Sequence, residues 1–104
     1  MVKQFRFGVQ IGRSFTPESF VEKAQRAEEL GYSTLYFPDH FIDTELAPMA
    51  AMAMAAASTK TLRTGALVFD NDYKHPAILA KEIATIDVLD DTARDAFGFG
   101  SSGR

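Results

Sequence analysis

The chain has 104 residues, 46% of them apolar and 24% charged, with a formal net charge of −3; this is the composition of one globular domain able to bury a modest core. Lys and Arg are interleaved with Asp and Glu, so no basic stripe exists to neutralise a phosphate backbone, and nucleic acid is excluded as the expected partner. The absence of cysteine removes a disulfide framework, a thiolate metal site and a cysteine nucleophile, and it fits a reducing cytoplasm.

In chain order, Phe5 to Ile11 places apolar residues at 5, 7, 9 and 11, the period of two of a strand with distinct faces. Thr16-Pro17-Glu18 then supplies an N-cap hydroxyl, a proline for the first helical position and an acid for the first turn. Phe20, Ala24, Ala27 and Leu30 continue at helical spacing, and Gly31 is the C-terminal stop. Ser33 to Phe37 is a short β-branched and aromatic run closed by Pro38, a second strand with Asp39-His40-Phe41 just past its end. Pro48 opens an Ala- and Met-rich helix to about Ser58. Leu62 to Phe69 reads as a third strand, followed by the turn cluster Asp70-Asn71-Asp72. His75-Pro76 begins a third helix carried by Leu79, Ile83 and Ile86, and Ala96 to Gly100 reads as a fourth strand. The longest apolar stretch, Leu46 to Ala57, falls short of the roughly 20 residues of a membrane helix. The N-terminus has no apolar core of signal-peptide length. The expectation is a single cytoplasmic domain, without internal repeats and without a membrane partner.

The order βαβαβαβ predicts an α/β fold with a parallel sheet and right-handed crossovers, because a single helix between strands returns the chain parallel to its start. Two architectures satisfy it: a small open doubly wound sheet, or part of an eight-stranded (β/α)8 barrel, whose full form takes about 250 residues. A flavodoxin-like receiver ranks last, since Ile11-Gly12-Arg13 stands where an acidic cluster would follow the first strand.

Three segments run together in a recognisable order: Leu62-Arg63-Thr64-Gly65-Ala66-Leu67-Val68, then Asn71-Asp72-Tyr73-Lys74-His75-Pro76-Ala77, then Leu79-Ala80-Lys81-Glu82-Ile83-Ala84-Thr85-Ile86-Asp87. With Phe7-Gly8-Val9, Ala27-Glu28-Glu29-Leu30-Gly31-Tyr32 and Asp39-His40-Phe41 upstream, the chain resembles the luciferase-like monooxygenase family over nearly its whole length. The resemblance implies the N-terminal half of a TIM (β/α)8 barrel, residues 1–104 forming one partial domain with 101–104 as a tail. It implies coenzyme F420 or FMN as cofactor, hydride or oxygen chemistry, and a small organic substrate. Carried over by position, cofactor contacts fall on Asp39, His40, Leu67 and Val68, with Gln10 at the end of the first strand and His40 as the catalytic candidate. A non-proline cis peptide is expected at Leu67-Val68 in a complete barrel. Where relatives read Leu-Ser-Gly-Gly-Arg and a Gly-x-Gly-x-Gly strand end, this chain has Leu89-Asp90-Asp91-Thr92-Ala93-Arg94 and Gly98-Phe99-Gly100-Ser101-Ser102.

Each candidate has a plainer reading. A His-Asp pair on a loop, such as Asp39-His40, is often a structural hydrogen bond; imidazole is also the side chain most readily poised near neutral pH. His75 before Pro76 suits capping, and Asp70 and Asp72 read as turn formers rather than a metal pair. Gly98-Phe99-Gly100 on a strand without a following helix reads as close packing, and Met49, Met52 and Met54 as adaptable core or an association face. No serine sits in a nucleophile elbow. A part-barrel exposes strand edges and an inner face carrying some of Phe5, Phe7, Phe97 and Phe99, so the expected partner is a second copy of the chain. The functional expectation is a fragment of a flavin- or F420-dependent oxidoreductase, holding no cofactor tightly and inactive alone, because barrel enzymes hold the cofactor phosphate with loops after strands seven and eight. The alternative is a non-enzymatic half-barrel that only folds and self-associates.

Overall fold

The computed structural model describes residues 4–13, 16–41 and 45–96, with the side chains of 91–96 excepted. Three parallel strands form one sheet in the order β1-β2-β3: β1 Gly8–Gln10, β2 Thr34–Phe37 and β3 Arg63–Ala66. The α1 helix (Pro17–Glu29) connects the first two, α2 (Pro48–Ser58) the next two, and α3 (Pro76–Ala96) follows a 3-10 turn at Asn71–Tyr73. The α/β class and parallel sheet are as the sequence predicts.

The helix signals act as local chemistry requires. Thr16 Oγ1 accepts from the Ser19 amide at 3.0 Å, and Pro17 occupies the first turn where its missing N–H costs nothing. At the other end Gly31 takes φ +88°, and the amides of Gly31 and Tyr32 donate back to Glu28 and Ala27 carbonyls, both at 3.1 Å. This is the paired-bond stop that a left-handed residue permits.

Alternation along β2 divides the sheet into two faces. Leu35 and Phe37 are fully buried beneath the helices, against Phe20, Ala24 and Ala27 of α1 and Ala51, Met52 and Ala55 of α2. The Phe20 and Phe37 rings stack with centroids 5.8 Å apart, and the alanines let the helices lie close. Met52 is thus core packing. Tyr36 points to the opposite face, where the strands on either side carry glycine: a Cβ at Gly8 would overlap the Tyr36 ring, and one at Gly65 would come within 3.4 Å of it.

Two boundaries differ from expectation. The α3 helix runs through Leu89-Asp90-Asp91-Thr92-Ala93-Arg94 to Ala96, so Ala96 is helical and does not open a fourth strand. The physical reason is local, since no Gly or Pro interrupts this segment and nothing stops the helix. Residues 97–100, the rest of that expected strand, lie outside the described residues, as do Ser101 and Ser102. The strands are also shorter than predicted; Phe5 and Phe7 precede β1 and are exposed. Phe7 falls in the parity of Val9 and Ile11, which pack toward the helices, and not on the inner face. Among the described residues β1 and β3 each have one strand neighbour, and no helix is long and apolar enough to cross a membrane.

A contact between elements distant in sequence sets the lower edge of the sheet. Glu28 Oε2, near the end of α1, accepts from the backbone amides of Lys60 (2.9 Å), Thr61 (2.6 Å) and Leu62 (2.9 Å) and from the Thr61 hydroxyl (3.1 Å). Successive amides converging on one oxygen make an anion nest. Partial burial pushes this carboxyl up, but the hydrogen bonds from Thr61, Leu62 and Lys60 outweigh it and hold the group below its ordinary 4.5. A depressed carboxylate stabilises the fold above its unfolded value, and that stability is lost as pH falls below about 4.5 through the lower folded value. Glu28→Gln is expected to cost about 1.5–3 kcal/mol in urea unfolding at neutral pH and to flatten the acid limb of the stability profile. An unchanged midpoint would show that the nest contributes nothing.

Candidate functional site

Parallel pairing puts the C-terminal ends of all three strands on one rim, and the chain places its polar loops there. Gln10 ends β1, in register with Tyr36, and is exposed. The Leu67 amide donates to the Phe37 carbonyl at 2.9 Å, which sets Leu67-Val68 directly beside Pro38-Asp39-His40. All five residues proposed from sequence therefore lie along this rim, Gln10 on one flank of β2 and Leu67-Val68 on the other.

Two hydrogen bonds fasten the rim loops to one another, and a third braces the loop after β2 from within. The Leu46 amide donates to the Gly12 carbonyl at 3.3 Å, joining the loop after β1 to that after β2. His40 Nδ1 lies 3.0 Å from Glu45 Oε2, and because a carboxylate only accepts, Nδ1 carries the hydrogen and the pair fixes the ring. Asp39 Oδ2 accepts from the Asp70 amide at 2.9 Å, joining the loops after β2 and β3. Asp39 thus has a structural task, while His40, with a largely exposed side chain, keeps Nε2 free of the Glu45 contact.

Beyond β3 the Leu67–Val68 peptide is cis. It is present in these residues as they stand, which corrects the expectation that it needs a complete barrel. Leu67 is 53% and Val68 67% exposed, so two aliphatic side chains stand open on the rim beside polar groups. Asp70 Oδ1 accepts from the Asp72 amide at 3.1 Å, the turn-forming role read from sequence, and His75 Nδ1 accepts from the Ala77 amide at 3.0 Å, the expected cap of α3.

Two rim residues were not singled out by sequence. Glu45 contacts His40 across a five-residue gap that matches no periodic template. Tyr73 packs its ring against Phe41, centroids 4.3 Å apart. The Asp70 carboxylate, then partial desolvation, then the charges of Asp39 and Asp72 push the Tyr73 phenol above its ordinary 10.0, since each nearby negative charge opposes phenolate. Asp70→Asn keeps an oxygen for the turn and removes the charge. It is expected to move the highest tyrosine titration down toward 10.0 in an ultraviolet absorbance titration, with Tyr73→Phe assigning the transition. No movement would mean that Asp70 does not face the phenol in solution.

Comparison with known proteins bears on the family and the fold. Residues 1–104 match the profile of the luciferase-like monooxygenases. The chain is 34% identical over 94 residues to the F420-dependent glucose-6-phosphate dehydrogenase of Amycolatopsis mediterranei strain U-32, covering 84% of this chain and 28% of that protein. It is 37% identical over 82 residues to the enzyme of the same name from Kribbella flavida, covering 72% and 25%. Among solved structures it superimposes on the coenzyme F420-dependent tetrahydromethanopterin reductase of Methanopyrus kandleri with a TM-score of 0.71 and 25% identity, over 82% of this chain and 24% of that one. The chain spans about a quarter of the length of the relatives it matches.

Proposed function

The chain belongs to the luciferase-like monooxygenase family, and from that premise we propose that its strand-end rim is one wall of an F420 site in an oxidoreductase acting on a small organic substrate. The observation that carries this reading is the joint exposure of Leu67 and Val68 beside Asp39 and His40, on the edge where barrel enzymes place their chemistry. The choice of F420 over FMN rests on relatives whose names specify F420.

The residues present fit such a group. A flat deazaflavin ring asks for an apolar backing and for hydrogen-bonding groups at its edge. Leu67 and Val68 supply the first, while His40, Asp39 and Gln10 stand where they can supply the second. When bound, F420 supplies hydride transfer. The protein's part is to hold the ring, exclude water from its apolar side, and present His40 Nε2 as the atom that takes or returns a proton. Glu45 on Nδ1 supports that task by fixing the orientation of the imidazole.

Three strands provide only part of a ring of loops, so binding by residues 1–104 is expected to be weak but saturable. Titration with F420, followed by its fluorescence, is expected to saturate, with Leu67→Ala and Val68→Ala each weakening it about fivefold and FMN binding less well. Failure to saturate, or indifference to both substitutions, would overturn the reading.

Among the described residues no strand covers the outer edges of β1 and β3, which supports a further reading, that copies of the chain pair to cover them. Light scattering of the purified chain is then expected to give at least twice the monomer mass, and a clean monomer would end this reading without touching the first.

A further inference from the structure

Behind the rim, between the loops after β2 and β3, lies a cleft of about 180 Å³. Its walls are apolar, with Met49, Phe69 and Leu79 at the back and the Phe41 and Tyr73 rings at the mouth. Phe41 is 80% exposed although its ring packs, tilted, against Tyr73, so an aromatic lip stands open above an apolar hollow. A cavity of about 150 Å³ is enough for benzene, so a single six-membered ring matches this space. Asp39 and Asp70 line the cleft, Asp72 flanks it, and the one lining cation, Lys74, is already held by Glu82 at 2.6 Å. The electrostatic character of the mouth is therefore negative.

We propose that this cleft is a subsite for one planar six-membered ring of an uncharged or cationic molecule, and that it rejects phosphorylated and other anionic groups. The ring contributes through its burial and its packing against Phe41 and Tyr73, and a cationic substituent gains further from the aromatic faces and the carboxylates. An anion meets like charge, and among the described residues lining the cleft the one cation, Lys74, is paired with Glu82. The subsite thus points to a substrate class different from the phosphorylated sugar in the relatives' names. As the seat of a substrate ring the cleft rests on the F420 reading; as a binding site it does not, and the test is made without cofactor.

The chain is titrated with benzyl alcohol, benzylammonium and benzyl phosphate while the Met49 methyl and the Tyr73 ring resonances are followed by NMR. The alcohol and the ammonium are expected to shift both in a saturable way, with benzyl phosphate at least about tenfold weaker. Phe41→Ala is expected to weaken the alcohol about fivefold to tenfold, and Asp70→Asn with Asp72→Asn to narrow the gap between ammonium and phosphate. Equal or tighter binding of the phosphate, or the absence of saturable shifts at Met49 and Tyr73, overturns the proposal. Because the F420 titration reads a separate signal on Leu67 and Val68, either reading can fail while the other stands.

Discussion

The register of β2 between its two neighbours is the constraint from which the remaining geometry follows. Side chains alternate with a period of two, so a slip of one residue would carry Leu35 and Phe37 out of the helix layer and drive Tyr36 into it. Burial of these two side chains and the Phe20–Phe37 stack oppose that slip from one face. The glycines at positions 8 and 65 oppose it from the other, because they leave room for a tyrosine ring only where it now lies. With register fixed, the three strand ends fall level, and every residue of the rim inherits its place from that alignment. Glu28 reinforces it from below by holding the segment that leads into β3 against the end of α1.

Above the strands, polar contacts join apolar packing. The links Gly12 to Leu46 and Asp39 to Asp70 join the loop after β2 to its two neighbours, and the His40–Glu45 contact braces that loop internally, while Leu46 and Phe69 anchor the loops on the core. This arrangement gives Asp39 and His40 different tasks although they are adjacent. The aspartate orders two loops, while the histidine is oriented by a carboxylate and directs its second nitrogen outward. A single aspartate-histidine pair read from sequence is therefore two separate interactions, His40 with Glu45 and Asp39 with the Asp70 amide.

How much of this was legible in the sequence depends on the range of the interaction involved. The start and stop of α1 were readable because Thr16, Pro17 and Gly31 act on their own neighbours, and the turn at Asp70 and the cap at His75 were readable for the same reason. The rim positions followed from family resemblance and parallel topology together. The end of α3 differs at Ala96, which the apolar run Ala96 to Gly100 assigned to a strand; no Gly or Pro precedes it to stop the helix, and α3 continues through it. Glu28 was hidden inside a helix-terminal motif, since its partners lie more than thirty residues away and backbone amides leave no mark on a sequence. Glu45 and Tyr73 were missed because their partners are neither at helical nor at strand spacing.

The division between backbone-determined and side-chain-determined features also bears on specificity. The Leu67-Val68 part of the rim is built from a strand end and two exposed aliphatic side chains, features set by the course of the backbone. The cleft behind it is built from Phe41, Met49, Phe69, Tyr73 and the charges of Asp39 and Asp70, side chains whose replacement would alter the size or the sign of the pocket without disturbing the register of the sheet. Replacements in the cleft therefore act through side-chain size and charge, and replacements at Leu67-Val68 through exposed aliphatic surface, so the two can change separately. Asp39 is shared, since it stands beside Leu67-Val68 and also lines the cleft, where its carboxylate accepts from the Asp70 amide, and a change there would be felt on each side.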